Sequence, residues 1–162
     1  MNKFGAVAVM CAMAAVPTWA ADAPKPSPLA EKLIGAWRLI EIRERDSETG
    51  AEKPATPASA GGQLIYTANG RLSLQIARVG WDKVPIGGAA GFASYFGRWE
   101  LVPAEGYVVH YQDGNLNPNQ LGQAAKRYYS FDAQGHLALA TPPARNAQGR
   151  AVATVFVWER YP

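Results

Sequence analysis

Apolar and polar residues alternate in short runs from position 37 to the end of the chain, and the runs predict strands. The clearest pair is 62–68 and 71–78. Leu64, Tyr66 and Ala68 share one face of the first run, and Leu72, Leu74 and Ile76 share one face of the second. Asn69-Gly70 stands between them and predicts a two-residue hairpin turn, because both residue types tolerate positive φ. Further strands are expected over 37–43, 95–101, 107–112, 126–131, 136–141 and 152–160. In the first of these the alternation slips, since Leu39 and Ile40 are both apolar. Turns are expected at Pro103-Ala104-Glu105-Gly106 and Asp132-Ala133-Gln134-Gly135, and loops over 113–122 and 142–149. Residues 44–59 read as a long polar loop of the kind that serves as a lid or binding loop. Residues 80–91 read as an excursion, with a helical turn around 89–94. One short helix precedes the strands. Ser27 is its N-cap, Pro28 its first residue and Gly35 its stop, with Leu29, Leu33 and Ile34 as its apolar face.

Eight consecutive strands without long helices between them predict an all-β, antiparallel up-and-down barrel, a size that holds one small ligand. Closure makes the first and last strands neighbours. Trp37 on the first and Arg160 on the last can then meet, the guanidinium lying over the indole. Gly35, Trp37 and Arg160 are therefore expected to close one end structurally.

The barrel is expected over 29–162, with 21–28 as a flexible Pro- and Ala-rich lead-in. Residues 1–20 read as a secretory signal peptide: Lys3, an apolar stretch over 5–16, then Pro17-Thr18-Trp19-Ala20 with cleavage after Ala20. The apolar stretch is too short to span a bilayer. Cys11 is the only cysteine, and Met10 before it argues against lipidation. No stable membrane anchor is expected, and the mature chain has no cysteine for a disulfide or a thiolate ligand. These features suit a periplasmic or secreted protein. The net charge of +3 is interspersed, which disfavours nucleic-acid binding. With only two histidines, a multi-histidine metal site cannot form in a monomer, and no cofactor is expected.

Chemistry then rests on what the barrel turns inward. Two assignments are open, because the opposite faces are equally apolar and a one-residue shift inverts them. The first places Tyr95, Gly97 and Trp99 inside, with Gly97 making room between two large rings, and Val108 and His110 beside them. Tyr66, Tyr95, Trp99, His110 and Arg127 then form the candidate ligand-binding set, suited to an amphipathic or aromatic molecule bearing an acid or carbonyl. His110 is also the candidate acid–base group, being an imidazole in mid-strand. Gly87, Gly88 and Gly91 do not form a phosphate loop, and Ser73, Ser94 and Ser130 sit in no nucleophile elbow.

Several segments, in order, resemble the lipocalin-like domain family of bacteria and fungi. They are Leu33-Ile34-Gly35-Ala36-Trp37-Arg38-Leu39, Gly62-Gln63-Leu64-Ile65-Tyr66-Thr67-Ala68-Asn69-Gly70-Arg71, Tyr95-Phe96-Gly97-Arg98-Trp99-Glu100, Val108-Val109-His110, Arg127, His136-Leu137-Ala138-Leu139 and Trp158-Glu159-Arg160. The resemblance implies a calyx-like barrel and little about activity. The leading expectation is non-covalent binding of a small hydrophobic or amphipathic molecule. The alternatives are an isomerase or cyclase using His110, with Arg127 stabilising enolate-like charge, and an envelope protein-binding module contacting partners through Trp81 and the 44–59 loop.

Overall fold

The computed structural model describes residues 26–55, 58–84 and 91–162. The proposed signal peptide, most of the lead-in and positions 89–90 lie outside the described residues. Helix α1 (Pro28–Leu33) opens the fold, and the Ser27 hydroxyl accepts from the Ala30 amide as its N-cap. Strands β1 (Gly35–Asp46), β2 (Glu52–Pro54), β3 (Ser59–Tyr66), β4 (Arg71–Arg78) and β5 (Phe92–Val102) follow. Then come β6 (Tyr107–Asn115), β7 (Ala124–Phe131), β8 (Leu137–Ala140), β9 (Ala144–Arg145) and β10 (Ala151–Arg160). All pairings are antiparallel, and β1 pairs with both β3 and β10, which closes the barrel. Eight strands form the wall; β2 and β9 are short additions to β1 and β10.

Closure is built by a few residues at the α1 end. Trp37 pairs with Arg160 across β1 and β10. The Arg160 guanidinium carbon sits 4.3 Å from the centroid of the Trp37 ring. The same guanidinium donates to the carbonyls of Ile34 (2.7 Å) and Lys32 (2.6 Å). The Trp37 indole donates to the Leu33 carbonyl (2.8 Å). The helix end thus has its free carbonyls satisfied by the two residues that close the barrel. Gly35 has a φ of 137°, and a Cβ there would overlap the Arg160 guanidinium, so both backbone and packing call for glycine.

The slip at Leu39-Ile40 is a β-bulge. Leu39 pairs with Trp158 and Glu41 with Val157, leaving Ile40 as the extra residue. Trp37 and Leu39 face inward before the bulge and Ile42 after it, all buried.

Three local expectations are corrected. The β3–β4 turn is not a two-residue loop with two positive φ values: β3 stops at Tyr66, and only Gly70 has positive φ, at 76°. The Thr67 hydroxyl accepts from the Arg71 amide (2.9 Å) and draws the chain into a longer loop. Residues 44–59 are not one loop. β1 runs on to Asp46, β2 folds back on it, and Ala55 is buried. Arg43 and Arg45 of β1 pair with Glu52 of β2 across this hairpin, and Arg43 also pairs with Glu41 on its own strand, which gives a polar sequence a reason to be strand. The helical turn at 89–94 does not hold for Phe92, Ala93 and Ser94, which begin β5; the described turn is a single 3-10 turn at Trp81–Lys83.

Gly97 is buried on the inner face of β5, where a Cβ would overlap the backbone carbonyl of Tyr111. The backbone cannot swing away as a flexible side chain could. We expect Gly97→Ala to cost about 1–3 kcal/mol, read as a lowered urea midpoint, and an unchanged midpoint would contradict this packing.

Candidate functional site

The inner wall is set by strand periodicity. On β3 and β4 it carries Leu64, Tyr66, Leu72, Leu74 and Ile76, all buried. On β5 it carries Tyr95, Gly97 and Trp99, on β6 Val108, His110 and Gln112, and on β7 Arg127, Tyr129 and Phe131. The outward residues of β5 and β6 include Glu100 and Tyr111, which hydrogen-bond to each other at 3.0 Å.

At the centre is His110, 0% exposed. The Tyr66 hydroxyl bonds its Nε2, and the Tyr95 hydroxyl lies 2.8 Å from its Nδ1. Tyr66 also packs against Trp99, ring centroids 4.8 Å apart, and the Trp99 indole donates to the Thr67 carbonyl at 3.1 Å. Arg127 pairs with Val108 next along the β6–β7 ladder, and its charge bears on Tyr66, Tyr95 and His110. The five residues singled out from the sequence therefore sit together on the inner wall.

Electrostatics fix the protonation of this group. Burial, with Arg127 adding to it, holds the His110 imidazole well below its ordinary value, so it is neutral at pH 7. Burial pushes the Tyr66 hydroxyl well up and the Tyr95 hydroxyl up, so both keep their protons. The one charge is Arg127. Among the described residues it makes no ion pair; its Nη1 donates to the Lys126 carbonyl at 2.8 Å.

The wall is incomplete beside it. β8 pairs only with Tyr128, Tyr129, Ser130 and Phe131 of β7, then ends at Ala140, one residue before Thr141-Pro142-Pro143. Prolines cannot donate to a ladder, so the strand stops. The Ala124, Ala125, Lys126 and Arg127 stretch of β7 therefore has no strand on that side among the described residues. Arg127 and Tyr129 of β7 and Phe156 of β10 face inward and are only partly buried, while Leu139 between the last two is 1% exposed.

A family model for the lipocalin-like domain matches residues 34–161. The chain belongs to the lipocalin-like domain family. A search of the curated proteins finds no match. The lipocalin-like barrel fits the binding of small hydrophobic molecules. In this lipocalin-like domain the matched stretch contains both the closing pair, Trp37 and Arg160, and the whole His110 cluster.

Sequence reasoning missed part of the interior. Trp158 is 0% exposed and faces inward opposite Leu39 and Leu137. Its indole nitrogen is a buried donor without a partner among the described residues. Phe156 lies two residues earlier on the same face. The signal was available: once Arg160 is turned inward, a period of two carries Trp158 and Phe156 with it. His136 is partly exposed, and its Nδ1 lies 2.8 Å from the Asp132 carboxylate in the β7–β8 turn. No group of acidic, histidine or cysteine residues that could hold a metal occurs among the described residues.

Proposed function

We propose that this lipocalin-like domain binds a small hydrophobic or amphipathic molecule non-covalently inside its barrel, after export to the periplasm or beyond. The observation that carries the reading is the neutral Tyr66–His110–Tyr95 group on a mostly apolar inner wall, beside inner-face residues that stay accessible at the end of β8. A few convergent polar groups on an apolar lining are what orient a ligand. Tyr66, Tyr95, Trp99, His110 and Arg127 are its contacts in this reading, with Gly35, Trp37 and Arg160 holding the end shut.

Two other readings are weaker. An isomerase or cyclase would need His110 to exchange a proton with substrate, yet both ring nitrogens are engaged by tyrosines. Any proton would have to pass through a hydroxyl. A protein-binding module would need a free loop at 44–59, yet β1 and β2 take up part of it as a paired hairpin; Trp81 is exposed but packs one side of its ring on Phe92, with centroids 5.3 Å apart.

Trp99 supplies the test. It is partly buried and stacked on Tyr66. Titration with an apolar fluorescent probe such as N-phenyl-1-naphthylamine should quench tryptophan emission saturably in the wild type and much less in Trp99→Phe. Absence of saturable binding in folded protein would overturn the reading. For export, the mature chain recovered from a periplasmic fraction should begin at Ala21 by mass spectrometry; a chain still beginning at Met1 would contradict it.

A further inference from the structure

The hydrogen count within the cluster leaves one hydrogen over. A neutral imidazole carries one N–H, and each tyrosine hydroxyl carries one hydrogen. Three hydrogens therefore serve two contacts, Tyr66 to Nε2 and Tyr95 to Nδ1. If Tyr95 donates to Nδ1, then Nε2–H donates to Tyr66, and the Tyr66 hydrogen is left over. With the other tautomer the Tyr95 hydrogen is left over. Either way one buried hydroxyl hydrogen points away from the imidazole. No other hydrogen bond to an acceptor is made by either hydroxyl among the described residues. A buried donor without an acceptor is costly, so the site favours an occupant that brings one.

Arg127 asks for the same occupant. It faces the interior, stands within reach of the Tyr95 hydroxyl, and has no carboxylate partner among the described residues. Outside the described residues the sequence holds a single carboxylate side chain, Asp22. The guanidinium fork matches a planar pair of oxygens. It also stands at the unpaired edge of β7, where β8 has stopped, so a ligand can reach it from the accessible side of the wall.

We propose that the ligand is an amphipathic carboxylic acid bound as its anion. One carboxylate oxygen faces the Arg127 guanidinium, the other takes the left-over tyrosine hydrogen, and the apolar tail lies along Tyr129, Phe156 and the aliphatic wall. This rests on the binding reading above and adds the chemical class of the ligand. The group discriminates by charge and by hydrogen-bond type. A neutral alcohol of equal length loses the ion pair, and an ammonium group faces Arg127 with like charge and has no acceptor to offer.

The test compares decanoate, decanol and decylamine on the wild-type protein at pH 8 and low salt, by tryptophan fluorescence and calorimetry. Decanoate should bind about tenfold or more tighter than decanol, with decylamine weakest. Arg127→Gln should weaken decanoate binding far more than decanol binding and so remove most of that preference. Arg127→Lys keeps the charge without the fork and should fall between them. Tyr66→Phe/Tyr95→Phe together should lower decanoate affinity more than decanol affinity, because the hydrogen bond lost to the carboxylate is charge-assisted. Should Arg127→Gln fail to fold, the wild-type comparison and Arg127→Lys still decide. Equal binding of decanoate and decanol, or a preference for decylamine, overturns the carboxylate proposal and leaves barrel binding standing. Failure of all three ligands and of the apolar probe, in protein folded by circular dichroism, overturns both.

Discussion

Trp37→Ala is expected to destabilise the fold by about 3–5 kcal/mol, the range for emptying a buried aromatic site. The indole is 1% exposed and does three jobs at once. It fills the closed end of the barrel, where it packs against Phe131 at a centroid distance of 6.4 Å. It donates to the Leu33 carbonyl and so fastens the last turn of α1. It also presents the face on which Arg160 lies. Alanine removes the volume and the donor together, leaving a cavity and an unsatisfied helix end. A loss of this size is a large share of the stability of a domain this small.

Arg160→Ala should cost less, about 1–2 kcal/mol. It removes the cation–π contact and two hydrogen bonds, but the side chain is exposed, so water can reach the Ile34 and Lys32 carbonyls in its place. The order is therefore wild type, then Arg160→Ala, then Trp37→Ala in denaturant midpoint. Two wild-type-like curves would mean that this pair does not hold the barrel shut.

Much of this architecture was legible because barrels are governed by local rules. A period of two separates inside from outside on every strand, and Gly-x-Trp with a distant Arg marks where the ends meet. Gly97 was informative for a physical reason: between Tyr95 and Trp99 only a residue without a side chain lets the wall pass the Tyr111 carbonyl. What was not legible came from tertiary context. Ile40 is apolar and yet 43% exposed on the outer face, and the bulge there shifts the alternation so that Ile42 rather than Glu41 enters the core, a change of phase that no sequence pattern marks. The β2 segment, Glu52-Lys53-Pro54, has no apolar alternation at all; it is a strand because β1 offers an edge and a row of opposite charges. The Tyr66–His110–Tyr95 bridge joins residues from three strands, and only closure at the observed register makes both nitrogens reachable. The sequence supplied the side chains; the register supplied the pairing.

That bridge makes the fold acid-sensitive in a defined window. His110 is neutral in the folded state and held well below its ordinary value of 6.5 by burial and by Arg127. The unfolded chain, with an ordinary histidine, takes up a proton as the pH falls through 6.5, and the folded chain does not. The unfolded state then binds more protons, so stability must fall with pH. It is fully present above 6.5 and drops by about 1.4 kcal/mol per pH unit below it, until the folded-state pKa is reached. Both tyrosines stay protonated across this range, so neither supplies a compensating titration. Carboxylates held low in the folded state act in the same direction but later. The Arg38 guanidinium lowers Glu159, and the Thr49 and Glu48 amides lower Asp46, whose ordinary values are 4.5 and 3.8. The fall that begins just below pH 6.5 therefore belongs chiefly to His110. Glutamine offers the two hydroxyls a donor and an acceptor without a titratable group. His110→Gln is expected to be less stable than wild type at pH 7.5 but nearly flat between pH 6.5 and 4.5. Urea midpoints taken at half-unit pH intervals would show this, and an equal slope in both proteins would place the acid sensitivity somewhere other than His110.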